Sequence, residues 1–290
     1  MVKQLAVISG KGGTGKTTIT SSFAALAENA VIADCDVDAA DLHLILDPKT
    51  FETYGFYGLK VATINKDLCT ACGECTNFCR FDAIDKYMHI DVYKCEGCAV
   101  CKYVCPENAI IMADKKAGEY YCSNTRFGPM VHAKLSAGEE ASGKLVSNVK
   151  RRAHELASED DRDLIIIDGP PGTGCAVIAA ITGTDLVLIV TEPTVSGLHD
   201  LERVLLLVEH FRIPALVCIN KYDINEEMSC DMMAHCQSRG VSVVGLLPYD
   251  ISPLDAMMNS KAVVEYCGNE FSDRIRSLWS EVISQMQGMH

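Results

Sequence analysis

Residues Gly10 to Thr18 read G-K-G-G-T-G-K-T-T and follow directly on the apolar run Leu5-Ala6-Val7-Ile8. The run is strand-like, and G-x-x-x-x-G-K-[ST] immediately after a strand is a phosphate-binding loop. Several backbone N–H groups must meet the oxygens of a triphosphate at once, an approach that glycines allow. Gly10, Gly12, Gly13 and Gly15 supply that backbone, and Thr14 and Thr18 complete the loop. Lys16 places a point charge on the β and γ phosphates, and Thr17 offers its hydroxyl to Mg2+. The helix that begins near Gly15 aims its positive end at the anion.

From this loop outward the chain alternates. Residues 17–29 carry Ile19, Phe23, Ala24 and Leu26 at helical spacing, and Ala30 to Ala33 is a second strand, so the order strand, loop, helix, strand predicts a parallel α/β sheet. That strand ends in D-C-D-V-D-A-A-D, with Asp34, Asp36, Asp38 and Asp41 at the carboxyl end, where open α/β sheets bind ligands. Further on, Leu164-Ile165-Ile166-Ile167 reads as a strand buried on both faces. It ends in Asp168, the candidate for the Mg2+ shell. Strands at 185–190, 215–220 and 241–247 alternate with helices at 196–211 and 225–239. The expected fold is therefore a doubly wound, mostly parallel sheet. Two strands around a turn at Gly128-Pro129, and an amphipathic helix over 138–157 with Glu139 and Glu140 at its start, lead back into it.

Between the second strand and that return lies an insertion, since nothing from Pro48 to Asn65 continues the alternation cleanly. Cys69, Cys72, Cys75 and Cys79 follow C-x2-C-x2-C-x3-C, and Cys95, Cys98, Cys101 and Cys105 repeat it with Pro106 after the last. C-R-F-D-A-I follows the first half and C-P-E-N-A-I the second. This is the pattern of a two-cluster bacterial ferredoxin, in which three closely spaced thiolates hold three corners of a cubane and the other half supplies the fourth. One [4Fe–4S] set is then Cys69, Cys72, Cys75 and Cys105, and the other Cys95, Cys98, Cys101 and Cys79. Structural zinc prefers two C-x2-C pairs about one ion and has no use for the trailing cysteine. The domains expected are a discontinuous phosphate-loop domain, 1–63 and 115–290, and a small α+β ferredoxin-like domain, 64–114.

Composition bounds the partners. The 290 residues are 48% hydrophobic and 22% charged, with net charge −13 and no Lys/Arg-rich run, which argues against nucleic acid. The longest apolar runs are strand-length, and the N-terminus enters the phosphate-loop strand without a signal peptide. A cytoplasmic protein is expected, in which fifteen cysteines point to metal rather than disulfides. The C-terminal stretch puts Phe271, Ile275, Leu278, Val282 and Met286 on one face, but two arginines against three acids from Glu270 to Gln287 offer no attraction to anionic lipid. Packing on the sheet is expected, not stable membrane anchoring. Cys35, Cys122, Cys218, Cys230, Cys236 and Cys267 read as small buried hydrophobes.

The second lysine of the loop, Lys11, makes K-G-G-T-G-K-T-T resemble the deviant Walker A loop of the MinD/ParA/Mrp branch of P-loop ATPases, which includes the nitrogenase iron protein. The resemblance covers essentially the whole chain. It implies an ATP-hydrolysing homodimer in which Lys11 reaches the nucleotide of the other subunit. It also implies that Asp36 positions the attacking water, and that Gly169, in G-P-P-G-T-G after Asp168, senses the γ-phosphate. Asp41 falls where a later switch residue contacts nucleotide or partner. Asn220-Lys221-Tyr222-Asp223 matches the guanine-reading N-K-x-D, but in this ATPase branch a similar Asn contacts adenine, which assigns Asn220, with Pro248 nearby, to ATP. Cys175, seven residues after Asp168, matches a cluster cysteine of the iron protein in spacing. That protein's other ligand segment is missing here, so a buried thiol is expected. Joined to the cysteine motif, the resemblance leads to an ATPase that couples turnover to electron or metallocluster transfer to a client protein. The alternatives are a positioning or scaffold ATPase with redox-sensing clusters, and a plain electron carrier that only binds nucleotide.

Overall fold

The computed structural model describes residues 2–136, 138 and 142–288. The strands are β1 Lys3–Ser9, β2 Ala30–Asp34, β3 Lys49–Ile64, β4 Ile110–Thr125, β5 Gly128–Leu135, β6 Leu164–Pro171, β7 Leu186–Thr191, β8 Ala215–Asn220 and β9 Ser242–Leu247. The helices are α1 Lys16–Leu26, α2 Leu42–Leu46, α3 Glu74–Phe78, α4 Val100–Val104, α5 Ser142–Glu159, α6 Cys175–Ile181, α7 Val195–His210, α8 Glu226–Ser238, α9 Ser252–Met258, α10 Val263–Tyr266 and α11 Glu270–Gly288. The chain divides into two compact units, one of Met1–Thr53, Tyr120–Lys134 and Ser142–His290, the other of Tyr54–Glu119 and Leu135–Ala141.

The sheet order is β3-β4-β5-β2-β6-β1-β7-β8-β9. Strands β2, β6, β1, β7, β8 and β9 run parallel, and β5 runs parallel to β2. Helices on the faces bury the central strands on both sides, which is why Leu5–Ile8, Val31–Ala33 and Ile165–Ile167 are continuous apolar runs with almost no exposure. The buried face of α11 (Phe271, Ile275, Leu278, Val282, Met286) joins the core of the first unit, where the Trp279 ring lies 4.9 Å from that of Phe23, tilted by 50°. Among the described residues no helix is long and apolar enough to cross a membrane.

The structure departs from the sequence reading in several places. Residues 49–64, where no alternation was legible, form a sixteen-residue strand; most of it is exposed, so backbone pairing rather than a buried face holds it, and no period-2 pattern is required. The turn between β4 and β5 is Arg126-Phe127, two residues before Gly128-Pro129, and Thr125 Oγ1 closes it by donating to Gly128 O at 2.8 Å. The second unit takes in Tyr54 to Thr63 and Lys115 to Glu119, beyond 64–114, because the chain changes unit inside β3 and inside β4 rather than at their ends. Glu139 and Glu140, expected to start α5, lie outside the described residues. Cys230 is exposed, since the buried stripe of α8 runs through Ser229, Met232 and Cys236, and Cys267 is only half-buried.

One half-buried polar group sets an acid limit on the first unit. His132 of β5 sits 2.9 Å from Ser123 Oγ, which in turn lies 3.0 Å from Thr50 Oγ1. Burial, with His43 adding to it, lowers His132 to about 4. The unfolded imidazole titrates near 6.5, so the folded state resists the proton and stability falls as pH drops through that interval. Urea unfolding is expected to show about 2–3 kcal/mol of stability lost between pH 7 and 4.5 through this group. In His132→Asn that part of the acid loss is expected to be absent; an unchanged loss would place its origin elsewhere.

Candidate functional site

Gly15 explains how the loop can form. Its φ is +91°, and a Cβ there would lie 2.4 Å from Asn220 Nδ2, so both conformation and space demand glycine. Beyond it α1 begins, and a cleft of about 300 Å3 is lined by Ser9, Gly12 to Thr18, Asp36, Ala39, Asp41 and Pro171. Lys16 donates to Asp168 Oδ1 at 2.8 Å and lies 3.3 Å from Asp36 Oδ2. Thr17 Oγ1 donates to Asp168 Oδ2 at 3.0 Å. These are the donors of a Mg2+-triphosphate site, and the fit is tested by two orphaned atoms: Thr14 Oγ1 and Asp34 Oδ2 are buried without a protein partner. Thr17 and Asp168 would take the cation, which neutralises phosphate charge when bound.

The electrostatics are those of a site built for cation and anion together. Burial by itself would lower the Lys16 ammonium, but Asp168 and Asp36 outweigh it and hold the pKa above its ordinary value. Asp34, fully enclosed and beside Asp168, is pushed well above the usual carboxylate range, first by burial and then by that neighbour; Asp36 is raised by burial. The β2–β6 register places Asp34 directly beside Asp168.

Lys11 spends all three of its ammonium donors on its own chain: Glu192 Oε1 at 2.7 Å, Thr194 Oγ1 at 3.1 Å and Ser196 Oγ at 3.1 Å. Glu192 also takes Lys221 at 2.9 Å. Burial would raise Glu192, but the two lysines outweigh it and hold the carboxylate low. Other assigned residues stand apart from the cavity lining. Gly169 is buried inside β6, where a Cβ would meet Ile8 Cγ2 at 2.7 Å, so strand packing alone already demands glycine. Asn220 is buried and donates to Thr14 O at 2.8 Å. Pro248 follows β9 and is half-buried.

Sequence reasoning passed over Thr20, whose buried hydroxyl lies 2.8 Å from Asp168 Oδ1 and 3.0 Å from Lys16 O, one O–H between two acceptors. Its place one turn after Lys16 on α1 was the available signal. Glu192 was missed too, although it directly follows the carboxyl end of β7. Cys175, expected buried, is exposed at the start of α6.

The cysteines fall into two groups within the second unit. Cys69, Cys72, Cys75 and Cys105 line one small cavity; Cys79, Cys95, Cys98 and Cys101 line another. The two halves repeat in backbone as well as sequence. Left-handed residues recur at Ala71 and Gly97, Gly73 and Ala99, and Asp82 and Asn108, each pair separated like Cys69 and Cys95. Backbone N–H groups face sulfur in each set: Ala109 to Cys105 Sγ at 3.3 Å and Ala62 to Cys95 Sγ at 3.5 Å. Among the described residues no three His, Cys, Asp or Glu side chains converge as a site for a single metal ion.

Comparison with known proteins places this geometry. The chain is 36% identical over 228 residues to the Methanocaldococcus jannaschii protein MJ0578, covering 78% of this chain and 80% of that one. A stretch of 53 residues, 18% of this chain, is 42% identical to pyruvate synthase subunit PorD of Methanothermobacter marburgensis, of which it covers 65%. The fold is similar to that of the septum site-determining protein MinD complexed with Mg-ADP from Pyrococcus horikoshii, with a TM-score of 0.61, 18% identity and coverage of 99% and 98%. Residues 5–263 match the model of the CobQ/CobB/MinD/ParA nucleotide binding domain. With a glycine loop, Lys16, Thr17 and Asp168 assembled at the carboxyl ends of a parallel sheet, the chain belongs to that family and is a P-loop ATPase.

Proposed function

We propose that this ATPase works as a nucleotide-gated homodimer holding two [4Fe–4S] clusters, and that it couples ATP turnover to electron transfer or metallocluster delivery to a client protein. The observation that carries the reading is the pair of cavities, each lined by four thiols drawn three from one half-repeat and one from the other. That partition is the ligation pattern of two-cluster ferredoxins. Cys69, Cys72, Cys75 and Cys105 would hold one cluster, and Cys79, Cys95, Cys98 and Cys101 the other. Once bound, such a cluster supplies one-electron chemistry at a potential set by hydrogen bonds to its sulfurs and by exposure. Ala62 and Ala109 N–H are the donors available for that tuning. At the nucleotide, Lys16 holds the phosphates, Asp36 orients water, and Lys11, released from Glu192, reaches the partner subunit's nucleotide.

A second reading, a positioning ATPase whose clusters only report redox state, is favoured by the fold likeness to a septum site-determining MinD. Redox titration with and without a non-hydrolysable ATP analogue separates the two. The cysteine unit lies in the chain between the strand that ends in Asp34 and the strand that carries Asp168, two residues of the nucleotide machinery. Coupling of about 1–3 kcal/mol shifts a one-electron midpoint by roughly 40–130 mV, and the redox state must alter ATP affinity by the same factor. Identical midpoints together with equal affinities of oxidised and reduced protein would leave the two functions merely tethered and favour the second reading.

A further inference from the structure

The N-K-x-D stretch, residues 220 to 223, is only partly accounted for by the phosphate site. In a guanine site the carboxylate of this pattern faces the base squarely and accepts two adjacent donors, N1–H and the 2-amino group. Here the first two residues are engaged elsewhere. Asn220 is buried and donates to Thr14 O at 2.8 Å, and its Oδ1 accepts the Lys221 N–H at 3.0 Å. Lys221 donates to Gly13 O at 3.2 Å and to Glu192. Both therefore bind the end of β8 to the phosphate loop, and Asp223 remains as the exposed polar group of the pattern. Its carboxylate is not free to turn: Oδ1 accepts the Tyr249 N–H at 2.6 Å, across from the segment that follows β9.

We propose that Asp223 selects adenine over guanine in this ATPase, because the Tyr249 N–H fixes Oδ1 and leaves Oδ2 as a single acceptor for the exocyclic 6-amino group. A square-on carboxylate would set its second oxygen against the lone pair of adenine N1, and turning that oxygen onto Tyr249 removes the repulsion. The same turn spoils the two-donor match that guanine needs, and guanine presents a carbonyl oxygen where adenine presents its amino group. A hydrogen bond to a charged partner, lost or left unmade, changes affinity by about tenfold or more.

This inference rests on the ATP-binding reading, and a ligand-by-variant cycle tells the two apart. Calorimetric Kd values would be measured for ATP, GTP and purine riboside triphosphate, which is ATP without the 6-amino group. Wild type is expected to bind ATP about tenfold more tightly than either of the others. Asp223→Asn keeps an oxygen for Tyr249 but offers the base an N–H donor. Its preference for ATP over purine riboside triphosphate is expected to fall to within about twofold, while GTP, with its acceptor O6, does not weaken. Asp223→Ala is expected to lose the same preference with no gain for GTP. If either folded variant keeps the wild-type ratio of ATP to purine riboside triphosphate, or if wild type binds GTP as tightly as ATP, the assignment of Asp223 is overturned while ATP binding stands. A wild type that binds none of the three overturns both.

Discussion

Lys11→Ala is expected to lose ATP hydrolysis by about a thousandfold or more while retaining most of its affinity for Mg-ATP, and Lys16→Ala is expected to lose binding itself. A cation brought to the transferring phosphate in trans is worth about 10³–10⁵ in kcat, which sets the first magnitude. The ground-state contacts of Lys11 are with its own chain, to Glu192, Thr194 and Ser196, and its side chain is 29% exposed. Removing it should therefore cost about 1 kcal/mol of stability or less. Lys16 differs in kind. It is the buried ammonium among Asp168, Asp36 and Asp34, and its loss leaves buried carboxylates uncompensated at a cost of about 3–5 kcal/mol. The measurements are steady-state hydrolysis, nucleotide affinity, thermal unfolding and sedimentation with and without Mg-ATP. Wild type should shift toward a dimer with Mg-ATP, and Lys11→Ala should not. A Lys11→Ala protein that hydrolyses ATP normally as a monomer would end the in-trans assignment.

Protein purified without oxygen is expected to contain about eight iron and eight sulfide per chain, two cubanes' worth. Cys72 is exposed on the first cavity, so Cys72→Ser changes one ligand with little packing cost and should remove about half of the iron and sulfide, leaving the second set in place. The equivalent change at Cys98, exposed on the second cavity, should spare the first. Electron paramagnetic resonance of the reduced protein reports which set survives. Zinc in place of iron, or equal loss from both sets in each variant, would sink the proposed cluster assignment.

Local spacing carried a large share of this protein. The glycine loop after an apolar strand, the carboxylates at strand ends and the alternation of strands with helices are short-range patterns, each imposed by a need acting within a few residues. They were enough to read the parallel sheet and the family. The cysteine half-repeats are equally local, and their three-plus-one grouping is the one in which the four thiols line each cavity. Residues 49–64 were illegible as a strand because a strand exposed along most of its length has no buried face to impose alternation. What only the tertiary structure decided are the long-range partnerships. They include Lys11 with Glu192, Thr20 with Asp168, Asp34 beside Asp168, Asn220 with Thr14, and Asp223 with the Tyr249 N–H. Each joins segments brought side by side only by strand order, and a hydrogen bond exists only where two groups meet within about 3 Å, a distance no spacing along the chain encodes.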